Sequence, residues 1–388
     1  MQKEFTDNFM LELEDLQREG NLRFLRKIET HNNRICYEGK DLLNLCSNDY
    51  LGLASDQVLQ DRFKNYIASN ALSMASSSSR LLTGNHAAYD ELEEQIRSDY
   101  SAEAALVFNS GYHANLGILP AVTSKGDVIL ADKLVHASIN DGLRLCNADF
   151  VRYRHLDYNH LERLLKKYCD GKRRVVIVTE SVFSMDGDVA DLSILVALKE
   201  KYGALLYVDD AHGIGVLGEN GLGLAEQSGH VADIDFLVGT FGKALASVGA
   251  YVVCSEVMRK YLINKMRTLI FTTALPPVNL AWTRLAWVRC KELKDERDHL
   301  KKISNQLRDG IQGLGAETCG DSHIIPYIVG ENVACMNLSE FLCKRGFFVL
   351  PIKHPTVPKG TARLRFSLMA NMKETEIAEL VEGLSLKQ

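Results

Sequence analysis

The sequence predicts an α/β protein, a mostly parallel central sheet covered by helices on both faces, followed by a smaller C-terminal α+β unit. Three observations lead there. Short apolar runs begin near residues 104, 127, 149, 174, 204, 235 and 250, each closed by glycine or a polar residue, as buried strands are. Helical spacing fills most of the intervals between them. Polar side chains gather where the runs end, and loops at strand ends are where open α/β sheets bind ligands.

A chain of 388 residues has room for two domains, or for one large domain and a satellite. A hydrophobic fraction of 46% and a charged fraction of 24% are ordinary for a globular protein. The net charge is -5 and no basic block occurs, which argues against nucleic acid and anionic membrane surfaces as partners. No run approaches the roughly 18 apolar residues of a membrane span. The first twenty residues read as an acidic amphipathic helix and not as a signal peptide. Nine scattered cysteines without a C-x-x-C spacing suggest a reduced, cytoplasmic setting and no metal site.

Taken in order, residues 5–30 form a helix and its exit, including Leu22-Arg23-Phe24-Leu25-Arg26. Residues 44–53 are a short strand running into the polar turn around Asn48-Asp49-Tyr50. Four consecutive serines, Ser76 to Ser79, open a polar loop before a helix over 88–100. The strand Ala104 to Phe108 feeds Asn109-Ser110-Gly111-Tyr112 and a helix over 113–123. A small polar turn entering a helix straight after a strand is a ready anion site, since free N–H groups and the helix dipole converge there; it is equally what a plain N-cap looks like. The strand ending near Ala131 leads to His136, and the strand ending at Thr179 leads to Glu180 through Asp188. Asp191 reads as the N-cap of a helix over 192–202, with Gly203 as its stop. One long helix over 278–313 carries the chain into strands at 323–329, 347–350 and 362–369 and helices at 337–345 and 374–384. The expected organisation is an arm over 1–45, a large domain over 46–277, and a helix with the small domain over 278–388.

Two stretches carry chemistry. Thr240-Phe241-Gly242-Lys243-Ala244 places a lysine on the tight connection between two apolar runs. Most lysines are exposed, but a desolvated one is a nucleophile for carbonyl carbon. About thirty residues upstream, an apolar strand ends in Asp209-Asp210-Ala211-His212. A carboxylate there can keep a pyridine nitrogen protonated, and a Schiff-base lysine with such a partner is the minimal equipment for pyridoxal phosphate (PLP). The nearby Gly213-Ile214-Gly215-Val216-Leu217-Gly218 matches a dinucleotide fingerprint but lacks both the strand directly before it and the helix after it.

Together, Asn48-Asp49-Tyr50-Leu51-Gly52, Thr179 through Gly187, Asp209-Asp210-Ala211-His212-Gly213 and Thr240-Phe241-Gly242-Lys243 resemble the α-oxoamine synthases. That resemblance runs in order over nearly the whole chain. It implies a fold-type-I PLP-dependent transferase working as a homodimer with its site at the interface. It implies Lys243 as the Schiff-base lysine, Asp209 on the pyridine nitrogen, His212 on the ring oxygen and His136 stacked on the ring. It further implies Ser184 and Thr240 at the ring oxygen and phosphate, Gly111 and Tyr112 at the phosphate turn, and Thr272 or Thr273 reaching the partner's phosphate. Arg23, Asn48, Thr356 and Arg365 match substrate contacts, Arg365 as the carboxylate clamp. The loop Pro355 to Arg365 most resembles the branch that joins L-alanine to a pimeloyl thioester, with glycine and serine branches as alternatives. Two departures stand out: serines fill Ser76–Ser79 where the family has glycines, and Tyr89 stands where histidine is common.

Overall fold

The computed structural model describes the backbone from Gln2 to Lys387 and side chains from Phe5 onward. In chain order the strands are β1 (Glu29–His31), β2 (Arg34–Tyr37), β3 (Lys40–Asn44), β4 (Ala104–Phe108), β5 (Val128–Asp132), β6 (Asp149–Tyr153) and β7 (Val175–Glu180). They continue as β8 (Leu205–Asp209), β9 (Phe236–Thr240), β10 (Ala250–Cys254), β11 (Ile324–Gly330), β12 (Phe347–Phe348), β13 (Pro351–Ile352) and β14 (Ala362–Ser367).

The chain divides into two compact units. The larger comprises residues 48–184 and 188–299 and holds a seven-stranded sheet in the order β4-β10-β9-β8-β7-β5-β6. The pairs β5–β6, β5–β7, β7–β8 and β8–β9 are parallel, and β10 runs antiparallel to both β4 and β9. The expectation of a mostly parallel sheet therefore holds, with one reversed strand that follows from the short connection carrying Lys243: a direct turn between neighbouring strands forces them antiparallel. Strands β4, β5, β7, β9 and β10 are buried at every position, as sheets covered on both faces require. Ala114, Ile118, Leu119 and Val122 of the helix Gly111–Val122 pack into one core with Leu106, Ile129, Val176 and Val252. Asp191 accepts from Ile194 N–H as N-cap of the helix Leu192–Tyr202, and Gly203 ends it at φ 63°.

The smaller unit comprises residues 1–47, 185–187 and 300–388. It contains a four-stranded sheet, β1-β2-β3-β12, and a three-stranded sheet, β11-β14-β13. The hairpin β2–β3 turns on Glu38 and Gly39, both left-handed at φ 52° and 73°, the geometry of a two-residue turn that matches strand twist. The long helix expected over 278–313 is two helices, Pro277–Lys291 and Lys294–Gly313, and the larger unit extends through the first of them to His299. Helical periodicity runs on through Glu292 and Leu293, so the break was invisible to spacing alone. No helix among the described residues is long and apolar enough to cross a membrane, and no group of metal-binding side chains occurs among them.

Candidate active site

The ends of β5, β7 and β8 bring His136, Glu180 and His212 near Lys243. The lysine follows β9 in a tight turn closed by Ala246 N–H to Lys243 C=O at 2.8 Å and Ser247 N–H to Phe241 C=O at 2.8 Å. Its Nζ lies 2.7 Å from His212 Nε2. His212 follows β8 by three residues and is 5% exposed. Its Nδ1 meets the Tyr50 hydroxyl at 2.6 Å, and that hydroxyl donates to Asn48 Oδ1 at 3.0 Å.

Asp209 ends β8 with both oxygens engaged. Oδ2 accepts from Asn115 Nδ2 at 2.7 Å and Oδ1 from Ala211 N–H at 3.0 Å. Asn115 is itself fixed by Tyr207, whose hydroxyl donates to its Oδ1 at 2.5 Å, and lies 2.9 Å from Ser138 Oγ. Ser138 Oγ also meets His136 Nδ1 at 2.7 Å. His136 is the N-cap of the helix Ala137–Leu145, exposed, with its backbone N–H donated to Glu180. Glu180 is 3% exposed and its pKa is raised well above the carboxylate range, by burial first and by the neighbouring Asp209 charge second. Asn115, Ser138, Tyr207, Glu180 and Tyr50 were given no role by the sequence reading. Asn115 stands one helical turn beyond Gly111, and a polar residue on a buried helical face was the signal available.

The helix Gly111–Val122, which carries Asn115, starts with Ser110 as N-cap, its Oγ accepting from His113 N–H at 3.2 Å. A Cβ on Gly111 would stand 3.7 Å from Thr240, so the helix N-terminus and the end of β9 adjoin. First-turn N–H groups have no intrahelical acceptor, and with the Thr240 hydroxyl beside them they suit a phosphate. Tyr112 is 47% exposed and donates to Asp141 at 2.6 Å. Thr273 C=O accepts from Asn109 Nδ2 at 2.7 Å, which draws the Thr272–Thr273 segment to the same turn. Ser184 sits in the turn after β7.

The serine loop and Tyr89 also have partners. Ser76 Oγ donates to Leu275 C=O at 2.6 Å, Ala274 N–H donates to Ser78 C=O at 2.8 Å, and Leu275 N–H donates to the Tyr89 hydroxyl at 2.6 Å. They dock the segment that follows Thr273. The glycine pattern at 213–218 is explained by Asp210. Its Oδ2 accepts from Leu224 N–H at 2.9 Å, Ser181 donates to Oδ1, and a Cβ on Gly213 or Gly223 would come within 1.9 Å of it. The glycines make room for a buried carboxylate, and Gly215 N–H bonds Gly221 C=O at 2.7 Å in a turn with no helix behind Gly218.

In the smaller unit, Arg23 and Thr356 are exposed, and Arg365 is half-buried on β14 opposite Pro326. Arg363, two residues before it and so on the same strand face, is committed to Asp186 and to Thr361 C=O at 3.0 Å. Burial pushes the Cys46 thiol up to about 11, against the pull of Arg365 and Arg26.

An amine against an imidazole, a carboxylate clamped by an amide, and a helix N-terminus beside a threonine match the donor set PLP requires, and the mixed sheet that carries them is that of a fold-type-I PLP-dependent transferase. The aminotransferase class I and II family matches residues 40–384. Relatives from Glaesserella parasuis and Pasteurella multocida, provisionally named 8-amino-7-oxononanoate synthase, are 52% and 50% identical over 97% and 96% of this chain and 100% and 97% of their own. Among solved structures, serine palmitoyltransferase from S. paucimobilis with a bound PLP–myriocin aldimine aligns at TM-score 0.90 and 29% identity over 98% of this chain and 96% of that one. An 8-amino-7-oxononanoate synthase from Francisella tularensis aligns at TM-score 0.75 and 30% identity over 89% of this chain and 97% of that one. The chain belongs to the aminotransferase class I and II family, and within it to the α-oxoamine synthases, PLP-dependent acyltransferases.

Proposed function

We propose that the protein condenses L-alanine with a pimeloyl thioester, on coenzyme A or an acyl carrier protein, to give 8-amino-7-oxononanoate, carbon dioxide and the free thiol, a step of biotin synthesis. The observation that carries this choice is 52% identity along essentially the full length of a relative named for that reaction. Serine palmitoyltransferase is the second reading, favoured by the higher TM-score of 0.90. Backbone similarity reports the fold, which many reactions share, so the identity weighs more and supports the first reading. A glycine-dependent 2-amino-3-ketobutyrate ligase is the remaining alternative within the family.

PLP, when bound, supplies the electron sink that stabilises negative charge at the amino acid's Cα. The chain's own residues do the rest. Lys243 would hold the cofactor through its amine, and the same amine, when free, would take the Cα proton. Asp209, with its oxygens fixed by Asn115 and Ala211, would meet the pyridine nitrogen and favour its protonated form. His136 would cover one ring face and His212 would meet the ring oxygen, with Ser184 as a further contact there. Gly111, Tyr112, Thr240 and a partner's Thr272 or Thr273 would hold the phosphate. Arg365 clamps the substrate carboxylate, with Arg23, Asn48 and Thr356 as further contacts. Two copies form the working unit. After the acyl group joins Cα, the carboxylate leaves as carbon dioxide and a proton replaces it there.

The test is an absorbance titration of PLP-loaded protein with L-alanine, glycine and L-serine. Alanine is expected to shift the visible band at the lowest concentration. A stronger response to glycine or serine would move the assignment to the corresponding branch.

A further inference from the structure

Lys243 is joined to the protein interior by three hydrogen bonds in series, through His212 and Tyr50 to Asn48. Tyr50 is fully buried and His212 is 5% exposed, so neither exchanges partners freely with solvent. A tyrosine hydroxyl has one proton to give. It is given to Asn48 Oδ1 at 3.0 Å. The 2.6 Å contact between the same oxygen and His212 Nδ1 is therefore donated by the imidazole. A neutral imidazole carries a single N–H. With that proton on Nδ1, the lone pair of Nε2 faces Lys243 Nζ, 2.7 Å away, and accepts from it.

We propose that Tyr50, backed by Asn48, is a positioning residue that sets the tautomer of His212, keeping Nδ1 protonated and turning the Nε2 lone pair toward Lys243. The inference deepens the proposed function and rests on its reading of Lys243 and His212 as cofactor-site residues. An Nε2 lone pair receives a proton from the lysine amine or from a ligand hydroxyl placed there. When it does, the Nδ1–H bond to Tyr50 becomes charge-assisted and strengthens, so the buried hydroxyl supports both protonation states of the ring. The placement of Tyr50 is itself fixed: Asp49, next in the chain, accepts from Leu53 N–H at 2.9 Å and Ala54 N–H at 3.1 Å and closes the turn that presents the ring. Asn48, which the sequence offered as a substrate contact, also serves as the acceptor that orients the tyrosine proton.

The test is histidine 15N NMR of the cofactor-free protein, with the His212 signal assigned by its loss in His212→Gln. Wild-type protein is expected to show His212 protonated at Nδ1 and bare at Nε2. Tyr50→Phe is expected to erode that preference by roughly three- to tenfold, the worth of one hydrogen bond, with an unchanged circular dichroism spectrum. Tyr100→Phe, which removes another buried hydroxyl bonded to Leu222 C=O and Tyr251, is expected to leave it unchanged. Should Tyr50→Phe not fold, Asn48→Leu probes the same chain of bonds, and the wild-type spectrum alone still decides. A wild-type ring protonated at Nε2, or a Tyr50→Phe protein with the wild-type preference, overturns the proposal. Adding PLP to wild-type protein separates the two claims: an absent visible band sinks the cofactor reading, whereas a normal band with the wrong tautomer sinks only the role of Tyr50.

Discussion

Glu180 and Asp209 face each other in register on the adjacent parallel strands β7 and β8, and burial together with the Asp209 charge holds the Glu180 pKa well above its ordinary value. Two carboxylates so placed disfavour each other's ionisation, and Asp209 is the one with N–H donors on both oxygens. Glu180 accepts the backbone N–H of His136, so a carboxyl that burial makes hard to ionise holds the loop in place.

Glu180→Gln is therefore expected to be tolerated and Glu180→Ala is not. The glutamine keeps an acceptor for His136, while alanine strands that N–H at a cost of about 1–3 kcal/mol. The sign with pH follows from a folded pKa raised above the unfolded value of about 4.3. Stability is full below that value and falls as pH rises through the folded pKa. Urea titrations from pH 4 to 9 should show this slope in wild type and lose it in Glu180→Gln.

His155 gives a second pH signature. It bridges Asp132 at 2.9 Å and Asp188 at 3.1 Å, linking the loops after β5 and β7. Burial lowers its pKa, but the two carboxylates outweigh that and raise it to about 9. Its contribution is complete below the unfolded value of about 6.5 and is lost as pH rises through about 9. The stability difference between wild type and His155→Gln should shrink across that window in denaturation midpoints.

Gly223 tests the account of the glycine-rich turn. It has φ 91°, and a Cβ would stand 1.9 Å from Asp210 Oδ2. Gly223→Ala combines backbone strain with a clash and is expected to cost about 2–4 kcal/mol. A thermal melt decides; a neutral substitution would mean that the turn is not packed against Asp210.

Ser77 is left-handed at φ 51° in the serine loop. A left-handed non-glycine residue is strained by about 1–2 kcal/mol, partly offset by the extra unfolded-state freedom of glycine. Ser77→Gly should therefore raise stability by about 0.5–1 kcal/mol in urea titration. It leaves the Ser76 hydroxyl bond to Leu275 intact, so any change in thioester preference would be traced to backbone shape.

The sequence disclosed the large sheet because each strand is a run of apolar residues, and Lys243 and Asp209 because charged side chains at the ends of such runs are conspicuous. The reversed direction of β10 and the pairing of β1, β2 and β3 depend on partners distant in sequence or on turn geometry, which composition does not carry. Asn115, Tyr207 and Glu180 lie inside elements that read as ordinary core, and only the fold brings them to Asp209. Asp210 was visible beside Asp209, yet its bond to Leu224 N–H at 2.9 Å explains a glycine pattern that spacing alone likens to a nucleotide loop.

The most direct test of the central claim is product formation. PLP-loaded protein is incubated with L-alanine and pimeloyl-coenzyme A, and the mixture is read by mass spectrometry, with Lys243→Ala alongside. The account predicts 8-amino-7-oxononanoate, one carbon dioxide and one free thiol per turnover in wild type and none in Lys243→Ala. Equal turnover in Lys243→Ala, or a wild type that condenses glycine or serine with its acyl donor and leaves alanine untouched, would contradict it.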